Sequence, residues 1–286
     1  MAILSVSRRT DIPTFYSDWF FNHLEAGSLM VRNPYNQQVS EIPLSKEVID
    51  CIVFWTKNPI PMLNKMDKLH GYPYYFQFTL TGYDKDIESN LPSKNRLIEA
   101  FKELYYRGNG NLIWRYDPIV FTPKYHLDWH MQTFERIAKQ LRGYTNKCVI
   151  SFADMPHHVW KSMQDIPIKG IATREQLMIF CKRLSAIAAE NDMKVATCAE
   201  VVDLQECGIE HNRCIDPDYI TKIIGVPLNI SKDKGQRKAW GYVESIEVGT
   251  YNTCRNGCKY CYACNEAWRV QETIRTMSIF YSLPAI

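Results

Sequence analysis

The chain lacks a strong charge of either sign, a long apolar run and any low-complexity segment. Its 286 residues carry 34 Lys and Arg against 31 Asp and Glu, a formal net charge of +3. That balance is too mild to indicate nucleic acid by itself. No stretch approaches the roughly 18 continuous apolar residues of a membrane span, which excludes a transmembrane helix and a membrane partner of that kind. The opening MAILSVSRRTD has too short an apolar run and the wrong flanks for a signal peptide, so the expected location is cytoplasmic. No linker-like stretch cuts the chain, and its length suits one large domain over 1–286 with its own core. A composition of 46% hydrophobic and 23% charged residues is that of an ordinary globular protein.

What the chain does have is cysteine, ten in all. In an intracellular chain of this size they point to metal or redox chemistry rather than a disulfide framework. Cys51, Cys148 and Cys181 lie in apolar runs and read as small buried hydrophobes. The stretch CRNGCKYCYAC is different. Cys254, Cys258 and Cys261 have the Cys-x3-Cys-x2-Cys spacing of a compact loop that wraps one cubane iron–sulfur cluster, with Tyr260 just before the third thiol. A closed cluster takes four thiolates, so three leave one iron open. Cys264 is a fourth thiol, either a further ligand or a bystander, and a short loop is poorly shaped to reach all four irons. A structural zinc held by the four thiols is the non-catalytic alternative, although paired zinc knuckles need two Cys-x2-Cys units well apart.

The rest of the chain alternates β-rich apolar runs with helical stretches. The runs are Ile3–Val6, Cys51–Trp55, Tyr74–Leu80, Asn111–Tyr116, Cys148–Phe152, Lys194–Thr197 and Ser245–Val248. Most are nearly continuous in hydrophobicity, as in parallel strands buried on both faces. Helices are expected from Ser17 to Gly27, from Ser93 to Gly108, from Leu127 to Gly143, after a Thr173/Gln176 capping box, and over Glu266–Phe280. This alternation predicts an α/β fold built of βαβ units, and about seven of them favour a full or partial (β/α) TIM-like barrel. The region 200–242 is the least regular and reads as an insertion, with Cys207, Cys214, a helical piece near Asp218–Ile224 and a basic loop.

In parallel α/β proteins the site forms at the carboxyl ends of the strands. Those ends are loaded here: Ser7, Arg8, Arg9, Thr10 and Asp11; Thr56, Lys57 and Asn58; Thr79, Thr81 and Tyr83; Arg115, Tyr116 and Asp117; Ser151 and Asp154; Cys198 and Glu200. The last run delivers the cysteine loop to the same rim. Arg is suited to bidentate carboxylate recognition, while Asp and Glu pair with hydroxyls or a cation. A plain salt bridge between Arg115 and Asp117 is the competing reading of that pair.

The thiol spacing with the aromatic before the last cysteine resembles the radical S-adenosylmethionine (radical SAM) superfamily. The ordered set SRRTDIP, FWTKNP, WRYDPI, DKGQRKAW and YNTCRNGCKYCYA resembles, across nearly the whole chain, the radical-SAM-like family catalogued as domain of unknown function 1848. The resemblance implies a [4Fe-4S] cluster on Cys254, Cys258 and Cys261, and S-adenosylmethionine cleaved to a 5′-deoxyadenosyl radical that acts on an unknown substrate. It implies that the backbone of Tyr260 meets the adenine. The loop comes late in the chain, so the barrel is expected to be circularly permuted, with Ser7 and Arg8, followed by Arg9 and Thr10, in place of the usual methionine-binding segment. Arg9, Asp11, Lys57, Arg115, Asp117 and Glu200 are then the candidate catalytic residues lining the cavity, with a small-molecule or nucleotide-like substrate and a flavodoxin or ferredoxin as electron donor.

Two departures stand out. Trp240 and Tyr242 occupy positions where the family often has Cys-x-Cys, which compromises a second metal site made with Cys198 and Cys214, and Cys264 is an extra thiol. A rival reading is nucleic-acid repair or modification, since TKNP is faintly like spore photoproduct lyase. In that reading Lys232, Lys234, Arg237 and Lys238 track a phosphate backbone beside Trp240, although such a run is also an ordinary solvated loop.

Overall fold

The computed structural model describes residues 2–153, 156–170, 173–198, 200, 202–228, 243–264 and 267–280, the side chains of 267 and 277–280 excepted. Asp154, Trp240, Tyr242 and the basic run at 232–238 lie outside the described residues. The strands are β1 (Ala2–Val6), β2 (Ser28–Arg32), β3 (Val39–Pro43), β4 (Ile49–Thr56), β5 (Tyr74–Thr79), β6 (Leu112–Ile119), β7 (Lys147–Phe152), β8 (Lys194–Cys198), β9 (Glu210–Asn212) and β10 (Ile246–Glu247). Eight of them form one sheet in the order β10-β1-β4-β5-β6-β7-β8-β9, and every pairing in it is parallel. Among the described residues no ladder joins β9 to β10, so this α/β sheet is open.

All seven expected strands are present. Two features differ from expectation. β2 and β3 form a separate antiparallel hairpin, whose second strand is almost wholly exposed and carries no apolar run. The irregular region after residue 200 contributes β9, three residues that extend the sheet beside β8, followed by the expected short helix, Pro217–Ile224.

Helix boundaries follow local chemistry. Ser93 Oγ accepts from Arg96 N at 3.4 Å and Thr173 Oγ1 accepts from Gln176 N at 3.2 Å, each satisfying an otherwise orphaned amide. Gly27, with φ 82°, ends its helix in the left-handed conformation that a side chain resists. That helix starts at Ser17 as expected, with Tyr16 in the N-cap position, and the Ser17 hydroxyl accepts from Lys65 Nζ at 3.1 Å. No described helix is long and apolar enough to cross a membrane.

Strand side chains alternate between two faces. One face, with Leu4, Phe54, Phe76 and Trp114, packs against the helices in the largest buried cluster. The other, with Ile3, Val53, Tyr75, Ile113 and Val149, meets Ile215 and Ile220 in a second cluster. Burial on both sides is why the strands read as continuous apolar runs. Cys51, Cys148 and Cys181 are buried as expected, and burial pushes each thiol pKa up.

Cys198 and Cys214 do not stand free for a metal. They form a disulfide at a sequence separation of 16, with Cα atoms 6.2 Å apart. The physical cause is β9, whose pairing beside β8 brings the start of the next segment back to the end of that strand. Cys207 does not join them: it packs in the helix-side cluster and donates to Met178 O at 3.4 Å.

Candidate functional site

Because the sheet is parallel, the ends of β1, β4, β5, β6, β7, β8 and β10 lie along one edge, where side chains from separate segments can meet. The cysteine loop follows β10 and is moored to that edge by hydrogen bonds to two stretches of the chain, 8–16 and 87–90. Tyr16 Oη donates to Thr253 O at 2.7 Å and Tyr262 Oη to Arg8 O at 2.9 Å. Asn90 gives its backbone N–H to Asn256 O and its side-chain amide to Arg255 O, at 3.1 and 2.8 Å. Lys259 N donates to Ile87 O at 3.0 Å, and Glu88 forms a β-bridge with Cys258. Asn256 Nδ2 reaches Asp11 Oδ2 at 2.9 Å. Gly257 takes φ 68° at the tightest point, where an added Cβ would lie 2.9 Å from Asn90 Nδ2.

The four thiols are neighbours. Cys264 contacts both Cys254 and Cys261, and its thiol pKa is pushed up by those contacts and by burial. Contact with Cys264 brings Cys261 down to about 7. Cys258 is pushed up by burial, with Lys57 acting against that rise. Among the described residues no three His, Cys, Asp or Glu side chains form a ready-made metal site; the thiols meet in pairs within one loop.

Beneath the loop is a hub that sequence reasoning missed. Glu88, 1% exposed, accepts from Lys57 Nζ at 3.0 Å and Thr81 Oγ1 at 2.8 Å. Lys94 and the Tyr260 hydroxyl also bond it. Lys57 Nζ donates in addition to Tyr260 Oη at 2.6 Å. Burial pushes Glu88 up, but Lys57 and Lys94 outweigh it and hold the carboxyl at about 2. Burial likewise pulls Lys57 down, and Glu88 and Cys258 more than reverse this. The side chain of Tyr260 is therefore committed to this hub and to the Tyr83 ring, 5.8 Å away between centroids.

Asp11 is a second hub. Its carboxylate accepts from Thr14 N, Thr56 Oγ1, Lys57 N and Asn256 Nδ2 at 2.8 to 3.1 Å. Burial raises its pKa, against those four donors. A third hub is Glu247, which binds Ser5 Oγ at 2.8 Å, the Ser7 hydroxyl, and Arg8 through both N and Nε at 3.0 and 2.9 Å. Arg9 lies beside this group, its Nη1 donating to Gly249 O at 3.3 Å and its guanidinium 5.0 Å from the Tyr251 ring centre.

Arg115 and Asp117 pair along β6 itself, with Nε to Oδ2 at 3.0 Å. Arg115 also donates to Gln77 Oε1 at 2.8 Å and lies 5.1 Å from the Trp55 ring centre. Ser151 bonds the other Asp117 oxygen, and Gln77 bonds Cys214 O. Burial raises the Asp117 pKa, but Arg115 and Ser151 outweigh it and the net shift is downward. Glu200 accepts from Phe152 N at 2.7 Å.

The candidate residues thus fall into separate groups. Asp11, Lys57 and Tyr260 join the cysteine loop; Ser7, Arg8 and Arg9 join β10; Arg115 and Asp117 sit with Ser151; and Glu200 caps the end of β7. Glu247 had a sequence signal, an acid inside an apolar strand. Glu88 had none. A family model described as a domain of unknown function (DUF1848) matches residues 3–263. No curated protein and no solved structure matches the chain.

Proposed function

We propose that this chain, which belongs to the DUF1848 family of unknown function over residues 3–263, is a radical SAM-type iron–sulfur enzyme acting on a small-molecule or nucleotide-like substrate. The observation that carries the reading is a loop of four neighbouring thiols moored on the strand-end edge of a parallel sheet. The donor set suits an iron–sulfur group, which prefers thiolates, and the buried ammonium of Lys57 is coupled electrostatically to Cys258.

Cys254, Cys258 and Cys261 would hold the [4Fe-4S] cluster. The cluster would supply an electron, drawn from a flavodoxin or ferredoxin, for reductive cleavage of the sulfonium of bound S-adenosylmethionine. The remaining steps belong to this chain. Ser7, Arg8 and Arg9 follow β1 and stand beside Glu247, so they are the candidates to orient the methionine end. Asp11 already accepts four hydrogen bonds, which makes it a positioning residue rather than an acid or base. Arg115 and Asp117, oriented by Gln77 and Ser151, offer a fixed ion pair facing Trp55 for a polar substrate group. The packing that supports a partial, permuted (β/α) barrel is one inner cluster drawing Ile3, Val53, Tyr75, Ile113, Val149 and Cys198 from six strands. One cytoplasmic domain completes the reading.

The test is anaerobic reconstitution with iron and sulfide, followed by an assay for 5′-deoxyadenosine with dithionite and S-adenosylmethionine. Reductant-dependent 5′-deoxyadenosine supports the reading. A protein that takes up zinc but no iron and sulfide overturns it.

A further inference from the structure

The buried hub beneath the cysteine loop has an unbalanced charge. One carboxylate, Glu88, faces two ammonium groups, Lys57 on one oxygen at 3.0 Å and Lys94 on the other. The side chains of all three are largely buried, 1% exposed for Glu88, 16% for Lys57 and 19% for Lys94. Among these three side chains the single carboxylate offsets only one of the two cations, so the group carries one net positive charge, in surroundings where charges are weakly screened. It also has a direction. Lys57 Nζ donates to Tyr260 Oη at 2.6 Å, and Tyr260 stands between Cys258 and Cys261. Glu88 is bridged to Cys258 through the backbone, and the Tyr260 hydroxyl bonds both Lys57 and Glu88.

We propose that Lys57, held by Glu88 and the Tyr260 hydroxyl, is the positioning cation of the cysteine centre and sets the reduction potential of the iron–sulfur group that the thiols hold. This rests on the iron–sulfur reading of the loop. A fixed positive charge stabilises the reduced, more negative form of a thiolate-bound cluster, and the charge around a cluster is one of the factors that set its potential. Glu88 acts in the opposite sense, since it both anchors Lys57 and offsets its charge. Lys94 is the independent probe: it touches Glu88, and no hydrogen bond links it to the cysteine loop.

The experiment is a redox titration, followed by electron paramagnetic resonance, of anaerobically reconstituted full-length protein without S-adenosylmethionine. Lys57→Met and Lys94→Met are expected to shift the midpoint to more negative values, the first by more, and Glu88→Gln to shift it to more positive values. Lys57→Arg, which keeps the charge, is expected to restore the wild-type value. Opposite signs for the cation and anion variants cannot come from loosening of the loop alone, which treats both alike. Shifts of one sign in all three variants, or none, overturn the proposal. If Lys57→Met fails to hold a cluster, unmoved potentials in Lys94→Met and Glu88→Gln overturn it equally, because Lys57 is then a structural residue. A wild-type protein that forms no cluster at all overturns the iron–sulfur reading itself, an outcome separate from any pattern among the variants.

Discussion

Asn256 donates its side-chain amide to Asp11 at 2.9 Å, joining the cysteine loop to the segment that leaves β1, 245 residues earlier in the chain. Asp11 is acceptor-only, and all four of its partners are donors. Asp11→Asn keeps the shape but turns an NH2 toward at least one of those donors. The expected cost is about 2–4 kcal/mol, that of leaving a buried donor unpaired and losing a charge-assisted bond. Thermal unfolding measures it. In the same variant the loop thiols should alkylate faster than in wild type, while buried Cys51 should not.

The three thiols with cluster spacing and the fourth should part company. Cys254→Ala, Cys258→Ala and Cys261→Ala are each expected to lose bound iron after anaerobic reconstitution. Cys264→Ala is expected to keep it, because its thiol follows the spaced trio and donates back to Cys254 O at 3.6 Å. Iron and acid-labile sulfide per chain decide the point, and equal loss in all four variants would make Cys264 a ligand.

A glycine marks the closest approach between the first and last strands of this edge. A Cβ added at Gly249 would lie 2.6 Å from Ser7 Cβ, and closer still to the Ser7 hydroxyl that is bonded to Glu247. Gly249→Ala therefore forces β1 and β10 apart, with an expected cost of about 1–3 kcal/mol by overpacking. In a Ser7→Gly background the same substitution should cost much less. That coupling, read from four melting curves, assigns the cost to this contact.

The strands were legible because both faces of the sheet are buried, so Cys51–Trp55 or Cys148–Phe152 needs no partner in view to read as a strand. The cysteine loop was legible because ligand spacing is local. The hubs were not. Glu88 is one acid among several in a polar loop until residues 84–91 meet Asn256–Lys259, a contact between segments about 170 residues apart. Lys57, read as a cavity-lining cation, turns out to be committed to that hub. The Cys198–Cys214 bond was hidden for a similar reason: it depends on β9, whose three residues carry no periodic signal. What local pattern cannot encode is which strand end meets which loop.

Acid should unfold the protein in two overlapping stages. His130 is buried, its Nε2 3.1 Å from Val120 O and its Nδ1 2.8 Å from Tyr116 Oη, so the ring is neutral with Nε2 as donor. Burial lowers its pKa from an ordinary 6.5 to about 4. Between those values the unfolded chain binds a proton that the folded chain does not. Stability therefore falls as pH drops from 6.5 toward 4, by at most about 1.4 kcal/mol per pH unit. Glu88 adds a second stage: its carboxyl is held at about 2 against an ordinary 4.5, so its contribution is complete above 4.5 and disappears as pH falls toward 2. His130→Phe removes only the first stage. Its melting temperature starts lower, because Tyr116 loses its partner, but should be nearly level between pH 6.5 and 4.5, where the wild type declines. A wild-type melting temperature that stays level across that interval would refute the assignment to His130.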